Sequence, residues 1–246
     1  MTNYRTSHIG TLLLVIAATA LFSVAVMIFG AHLDLWEPIV GFGYIRNYLN
    51  PIGLTVLALS TLGIIFQLVT RNHVGMIKST TAALIGLGLI TPMLYGKIIP
   101  SKRAPAIHDI TTDTTHPPEF LVLNDTRAGA KNSLIYAGEE VATIQKRAYP
   151  YIQPIFSDLT AIDAYQKALR IAKDKGWDIV AEDQNELRFE ASAQTVFFAF
   201  IDDVVVKITP INNTSRIDIR SISRIGRSDR GVNAARIVAF EESFNR

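Results

Sequence analysis

Long apolar stretches fill the first hundred residues, and the rest of the chain switches to short alternating runs. Ile9 to Phe29 carries no Asp, Glu, Lys or Arg. At 1.5 Å per residue, a helix of that length crosses a hydrocarbon core of about 30 Å. Ile52 to Val69 is a second such stretch and follows Asn50-Pro51; proline suits the first turn of a helix. Thr80 to Ile99 is a third, interrupted by Gly86, Gly88 and Pro92, which membrane helices tolerate. The pattern predicts a transmembrane region over residues 1–100, with helices near 9–29, 52–69 and 80–99. The first is expected to be a retained anchor: its apolar run is too long for a signal peptide, and its basic flank is only Arg5.

The connection Gly30 to Asn50 holds Trp36, Phe42, Tyr44 and Tyr48, aromatics suited to the boundary between lipid and water. The interiors of the spans are read as free of charge, which weighs against a transporter or proton pump. Basic residues do not orient the chain. Arg5, Arg71 and Lys78 on one side balance Arg46, Lys97, Lys102 and Arg103 on the other. Three spans put the two termini on opposite sides of the bilayer.

Residues 101–119 lack an apolar period and are rich in Thr and Pro, so they read as an extended linker or strap. A folded domain is expected over 120–246. Ala137 to Ala148 predicts a short helix. Thr160, with Asp163 three residues on, predicts a capped helix that ends at Gly176. Trp177 to Ala181 and Leu187 to Ala193 alternate as strands. Val204 to Ile208 is a β-branched run stopped by Pro210, and Arg216 to Arg220 alternates strictly beyond an Asn-Asn-Thr-Ser turn. These two runs predict an antiparallel hairpin. Ser228 reads as the N-cap of a final amphipathic helix. Phe197, Phe198 and Phe200 read as core, with an apolar lip for a lipid as the alternative. The fold class is therefore α+β: a three-helix membrane region, then a small antiparallel sheet of about four strands flanked by helices.

Charge sharpens the division. Residues 1–103 hold 7 Lys or Arg against 2 Asp or Glu, and residues 104–246 hold 17 against 20, so +5 and −3 give the net +2. A slightly acidic second half argues against nucleic acid as a partner. The chain has no cysteine, which excludes disulfides, thiolate nucleophiles and cysteine metal sites.

Candidate chemistry sits in two places. Arg216, Asp218 and Arg220 fall on one side of the alternating strand. They form either a solvated face with weak ion pairs or an anion-binding strip continued by Arg224, Arg227 and Arg230. Asp202 and Asp203 precede the hairpin and join the candidate binding residues, although neighbouring acids suit a turn better than a metal pair. The second place is the strap, where His108, Asp109, Asp113 and His116 supply nitrogen and oxygen donors for a metal. No pair has a helix-face spacing, so an extended strap is the favoured reading. No HExxH or GxSxG motif is present, and no cofactor is implied.

The segments HDITTDTTHPPEF at 108–120, AYPYIQP at 148–154, GWDIVAE at 176–182 and FIDDVVVKI through SRIDIRSISRIGRSDRGVNAARI at 200–237 resemble the domain-of-unknown-function family 1499. The resemblance covers about residues 104–246. The family often reads YPDIxP where this chain has Tyr151 in the Asp place. The resemblance implies an envelope protein of no assigned reaction, often with N-terminal spans, and supplies no catalytic residues. The expectation is a binding or accessory module rather than an enzyme, anchored in a lipid bilayer, with another membrane or envelope protein as a potential partner. The resemblance favours a bacterial inner membrane and a periplasmic C-terminal domain. The alternatives are a metal-dependent hydrolase and a lipid-handling domain.

Overall fold

The computed structural model describes residues 7–99 and 104–246. Arg5 and the start of the predicted linker, Ser101 to Arg103, lie outside the described residues. The chain forms two compact units.

The N-terminal unit has three long helices: α1 (His8–Phe29), α2 (Pro38–Val69) and α3 (His73–Ile98), with a 3-10 turn at Gly30–Leu33. All three are long and apolar enough to cross a membrane. The helix α2 runs 32 residues, because the aromatic connection continues into it. Pro51 therefore lies inside α2 and does not open it. At 1.5 Å per residue α2 reaches about 48 Å, beyond a hydrocarbon core of about 30 Å. The longer helices also take in Arg46, Lys78 and Lys97, which the uncharged stretches had excluded. The Nζ of Lys78 donates to Thr11 Oγ1 at 2.8 Å.

Close packing explains two of the glycines. A Cβ at Gly86 would meet the backbone nitrogen of Leu57 at 2.7 Å, and one at Gly63 would meet Leu13 Cδ1 at 2.2 Å. Small residues let apolar helices approach where no water drives them together. Ser7 caps α1 by accepting from the Gly10 N–H, and it also accepts from Gln67 Nε2 at 2.7 Å. Asn72 caps α3 in the same way, accepting from the Gly75 N–H.

The C-terminal unit runs β1 (Asp109–Thr111), α4 (Glu139–Ala148), β2 (Ile155–Ser157), α5 (Ala161–Asp174), β3 (Asp178–Asp183), β4 (Arg188–Gln194), β5 (Ile201–Ile211), β6 (Thr214–Ser223) and α6 (Val232–Phe244). All pairings are antiparallel. The strand order is β1-β6-β5-β4-β3, and β2 also pairs with β6. The four predicted strands are thus joined by two short ones. They lie end to end along β6, with β2 opposite 215–217 and β1 opposite 220–222.

One sheet face is apolar and packs on α5 and α6. Phe189 and Ala191 from β4, Val204, Val206 and Ile208 from β5, and Ile217 and Ile219 from β6 are buried there. Helix α5 adds Tyr165 and Ala168, and α6 adds Ile237 and Phe240. Trp177 stacks on Phe240 with ring centres 5.6 Å apart. Phe197 is exposed, Phe198 and Phe200 are half-buried, and none of the three joins this cluster, so the predicted aromatic core lies elsewhere.

Local chemistry sets the ends. Thr160 caps α5 as expected, accepting from the Asp163 N–H. At α6 the capping carboxylate is Asp229, which accepts from the Gly231 and Asn233 N–H groups; Ser228 donates instead to the Pro105 carbonyl. Strand β5 includes both Asp202 and Asp203 at one end and Pro210 near the other. The hairpin turns at Asn212, whose φ of 52° suits an Asn side chain.

Candidate functional site

Strand alternation sends the other half of the side chains to the second sheet face. The register places them in rows across β4, β5 and β6: Arg188, Lys207 and Asp218; then Glu190, Val205 and Arg220; then Ser192, Asp203 and Ile222. Thr209 stands opposite Arg216 at the near end. The sequence reading placed Arg216, Asp218 and Arg220 on a solvated face or an anion strip. Here Asp218 and Arg220 are buried. What covers them is the segment 112–138, which crosses this face without regular secondary structure.

Each fold of that segment lands on a charged side chain of the sheet. Glu190 accepts from the N–H groups of Leu121, Val122 and Leu123. Arg188 donates to the Glu119 carbonyl and pairs with Glu190. Asp203 is gripped by Arg127 and Arg224 and also accepts from Ser192 Oγ at 2.9 Å. Arg224 donates in turn to the Ala128 carbonyl. Arg220 is 2% exposed. Its Nε and Nη2 bind both oxygens of Asp109 at 3.0 and 2.7 Å, and it donates to the Pro118 and Leu134 carbonyls. The Phe120 and Tyr136 rings each lie 5.4 Å from its guanidinium carbon.

The segment does not lie flat on the sheet. Beneath it is a cavity of about 1130 Å³, slightly above the usual ligand-pocket range of about 300–1,000 Å³. The floor is Arg188, Lys207, Thr209, Arg216, Asp218 and Arg220; the roof includes Asp113, His116, Phe120, Leu121, Ile135 and Tyr136. Arg216 bridges floor and roof. It pairs with Asp113, and its Nε stands 2.8 Å from Asp218 Oδ2. Burial alone would raise the Asp113 carboxyl. Hydrogen bonds from the His116 and Thr115 N–H groups and from Arg216 outweigh it and hold the group below its usual value. The Tyr136 hydroxyl is buried without a hydrogen-bond partner. Burial, reinforced by the charge of Asp109, pushes this phenol up to about 12.

The candidate residues are therefore dispersed. Arg216 and Arg220 line the cavity, while Asp203 and Arg224 form a pair outside it. Asp202 points to the opposite face, where it pairs with Arg236 of α6. Ser221 and Ser223 belong to the same network through Asn233. In the strap, Asp109 is committed to Arg220 and Asp113 to Arg216, and His116 lies on the cavity wall. His108 contributes its carbonyl oxygen to the Ser223 and Asn233 donors. Among the described residues, no three His, Asp or Glu side chains gather as a metal-ligand set. Glu190, Lys207 and Tyr136 escaped the sequence reading. Their only signal was a polar position within an apolar alternation or, for Tyr136, an aromatic in an irregular stretch.

The polar face and its roof fall within residues 109–244, and that span matches the family profile DUF1499, a protein of unknown function. The chain belongs to the DUF1499 family. No curated protein matches it. The matched span begins at β1 and ends with α6, so the DUF1499 region contains every strand among the described residues, the roofing segment and the cavity. In the DUF1499 sheet of this chain, polar positions on one face serve to hold a long irregular segment in place.

Two outcomes test this arrangement. Glu190→Gln keeps the shape but removes the charge that three N–H groups share. The amides of Leu121 to Leu123 are expected to exchange with deuterium at least tenfold faster, while those of β5 stay protected. In protein carrying ring-labelled tyrosine, the Tyr136 resonance, assigned with Tyr136→Phe, should titrate near 12. A folded-state value raised above 10 stabilises the fold below pH 10. That contribution is lost as pH rises towards 12.

Proposed function

We propose that this protein is a membrane-anchored binding module of the cell envelope, with its C-terminal unit outside the cytoplasm, and that the cavity under the 112–138 segment holds its ligand. The observation that carries the reading is the cavity's construction. Its volume suits a small molecule, and its guanidinium groups are already fixed by Asp109, Asp113 and Asp218. Groups held in place before binding lose little freedom when the ligand arrives. The same commitments argue for holding a ligand over transforming it. Asp113, Asp218 and the three arginines of the wall are engaged in structure, which leaves few fixed groups to move protons. Anchoring by three spans keeps such a module at the bilayer, and the family resemblance supports the envelope and the outer side.

Native mass spectrometry of the full-length protein, released from nonionic detergent, tests the cavity. A stoichiometric small-molecule adduct is expected. It should be lost in Thr209→Trp, which fills the floor, and kept in Lys175→Ala, just beyond the end of α5. A wild-type protein that carries no adduct, or a Thr209→Trp variant that keeps it, would refute the reading. The side of the membrane is tested separately. The chain lacks cysteine, so a single cysteine added at the C-terminus is the sole thiol. In intact cells it should react with a membrane-impermeant maleimide; labelling only after lysis would place the unit in the cytoplasm.

A further inference from the structure

The cavity floor contains a cation without a counter-charge. Lys207 stands directly opposite Arg188 on one side and Asp218 on the other. Asp218 is already engaged: Arg216 binds it, and Thr112 Oγ1 donates to it at 3.1 Å. Arg188 faces the exposed Lys207 as a like charge, and the carboxylate that answers Arg188, Glu190, leaves Lys207 unpaired. Of the other lining carboxylates, Asp113 pairs with Arg216 and Asp125 with Arg127, while Glu119 and Glu186 are exposed and neither pairs with Lys207. The Lys207 side chain makes no ion pair or hydrogen bond among the described residues.

A second group in the same cavity also lacks a partner. The buried Tyr136 hydroxyl stays protonated far above neutral pH, and a buried donor with no acceptor is a costly arrangement. An acceptor atom brought in by a ligand would relieve it. Beside these polar groups the roof is greasy and open. Leu121 is 65% exposed and Ile135 81%, and both line the cavity with Phe120. Exposed apolar side chains around a charged floor describe a site for a molecule of matching polarity.

We propose that the cavity takes a single-chain anionic amphiphile, its head group bound by Lys207 and the Tyr136 hydroxyl and its hydrocarbon tail laid along Phe120, Leu121 and Ile135. The inference rests on the binding-module reading and gives it a ligand class. A membrane-anchored protein meets such molecules where they leave or enter a bilayer.

The test uses the full-length protein in nonionic detergent and reads the acetylation rate of each lysine by peptide mass spectrometry. Oleate is the probe. It is expected to slow acetylation of Lys207 at least tenfold, with Lys175, just beyond the end of α5, unchanged as an internal control. Oleyl alcohol, which has the tail without the charge, and acetate or inorganic phosphate, which have the charge without the tail, should leave Lys207 reactive at the same concentration. In Tyr136→Phe about ten times more oleate should be needed for the same protection. Equal protection by inorganic phosphate or acetate would mean a soluble-anion site and overturn the proposal, as would equal protection by oleyl alcohol. An unprotected Lys207, or an unaltered oleate requirement in Tyr136→Phe, would overturn it too. If Lys207 is unprotected while the native adduct persists, this ligand class falls and the binding module stands. If neither is seen, both fall.

Discussion

A guanidinium taken out of water costs several kcal/mol unless its N–H groups all find acceptors. Arg220 fills four of its five N–H groups, with both oxygens of Asp109 and the carbonyls of Pro118 and Leu134. Those four acceptors come from three places in the chain: the first strand, the start of the roof and its return. The faces of Phe120 and Tyr136 close over the flat group, an arrangement that arginine allows and lysine does not. One side chain from the centre of the hairpin therefore fixes where the edge strand sits and where the irregular segment passes. The cavity exists because the segment is held at these points and stands off the sheet between them.

The two faces of the sheet illustrate different ways of covering a surface. On one, apolar side chains meet amphipathic helices, and burial of area does the work. On the other, the backbone of an irregular segment brings unpaired N–H and C=O groups, which need charged or polar partners. Glu190 supplies three N–H groups with one carboxylate, much as a bound anion would. A loop this long without regular structure is otherwise uncommon inside a folded domain. Here its order comes from the side chains beneath it.

That difference explains what could be read from the residues alone. The membrane helices, the hairpin and the capped helix at Thr160 all follow from local periodicity, which survives folding. The alternation of Arg216 to Arg220 marked a strand with two unlike faces. It could not distinguish a polar face under water from a polar face under a roof. Asp202 and Asp203 looked like turn residues because their partners, Arg236 on one side and Arg127 and Arg224 on the other, are distant in sequence. Likewise Asp109 lies 111 residues from Arg220, and no spacing rule links them. Length misled in the membrane unit, where an aromatic stretch that reads as a connection continues as helix through Pro51.

The two short strands laid end to end beside β6 have a further effect. An open sheet margin offers a row of unpaired amides on which another polypeptide can template itself. Here that row is occupied by the chain's own β1 and β2. The opposite margin, β3, is irregular between Ile179 and Ala181 and carries Asp178, Glu182 and Asp183. Two three-residue strands at one margin and a kinked, charged strand at the other leave little open edge for a second chain to extend.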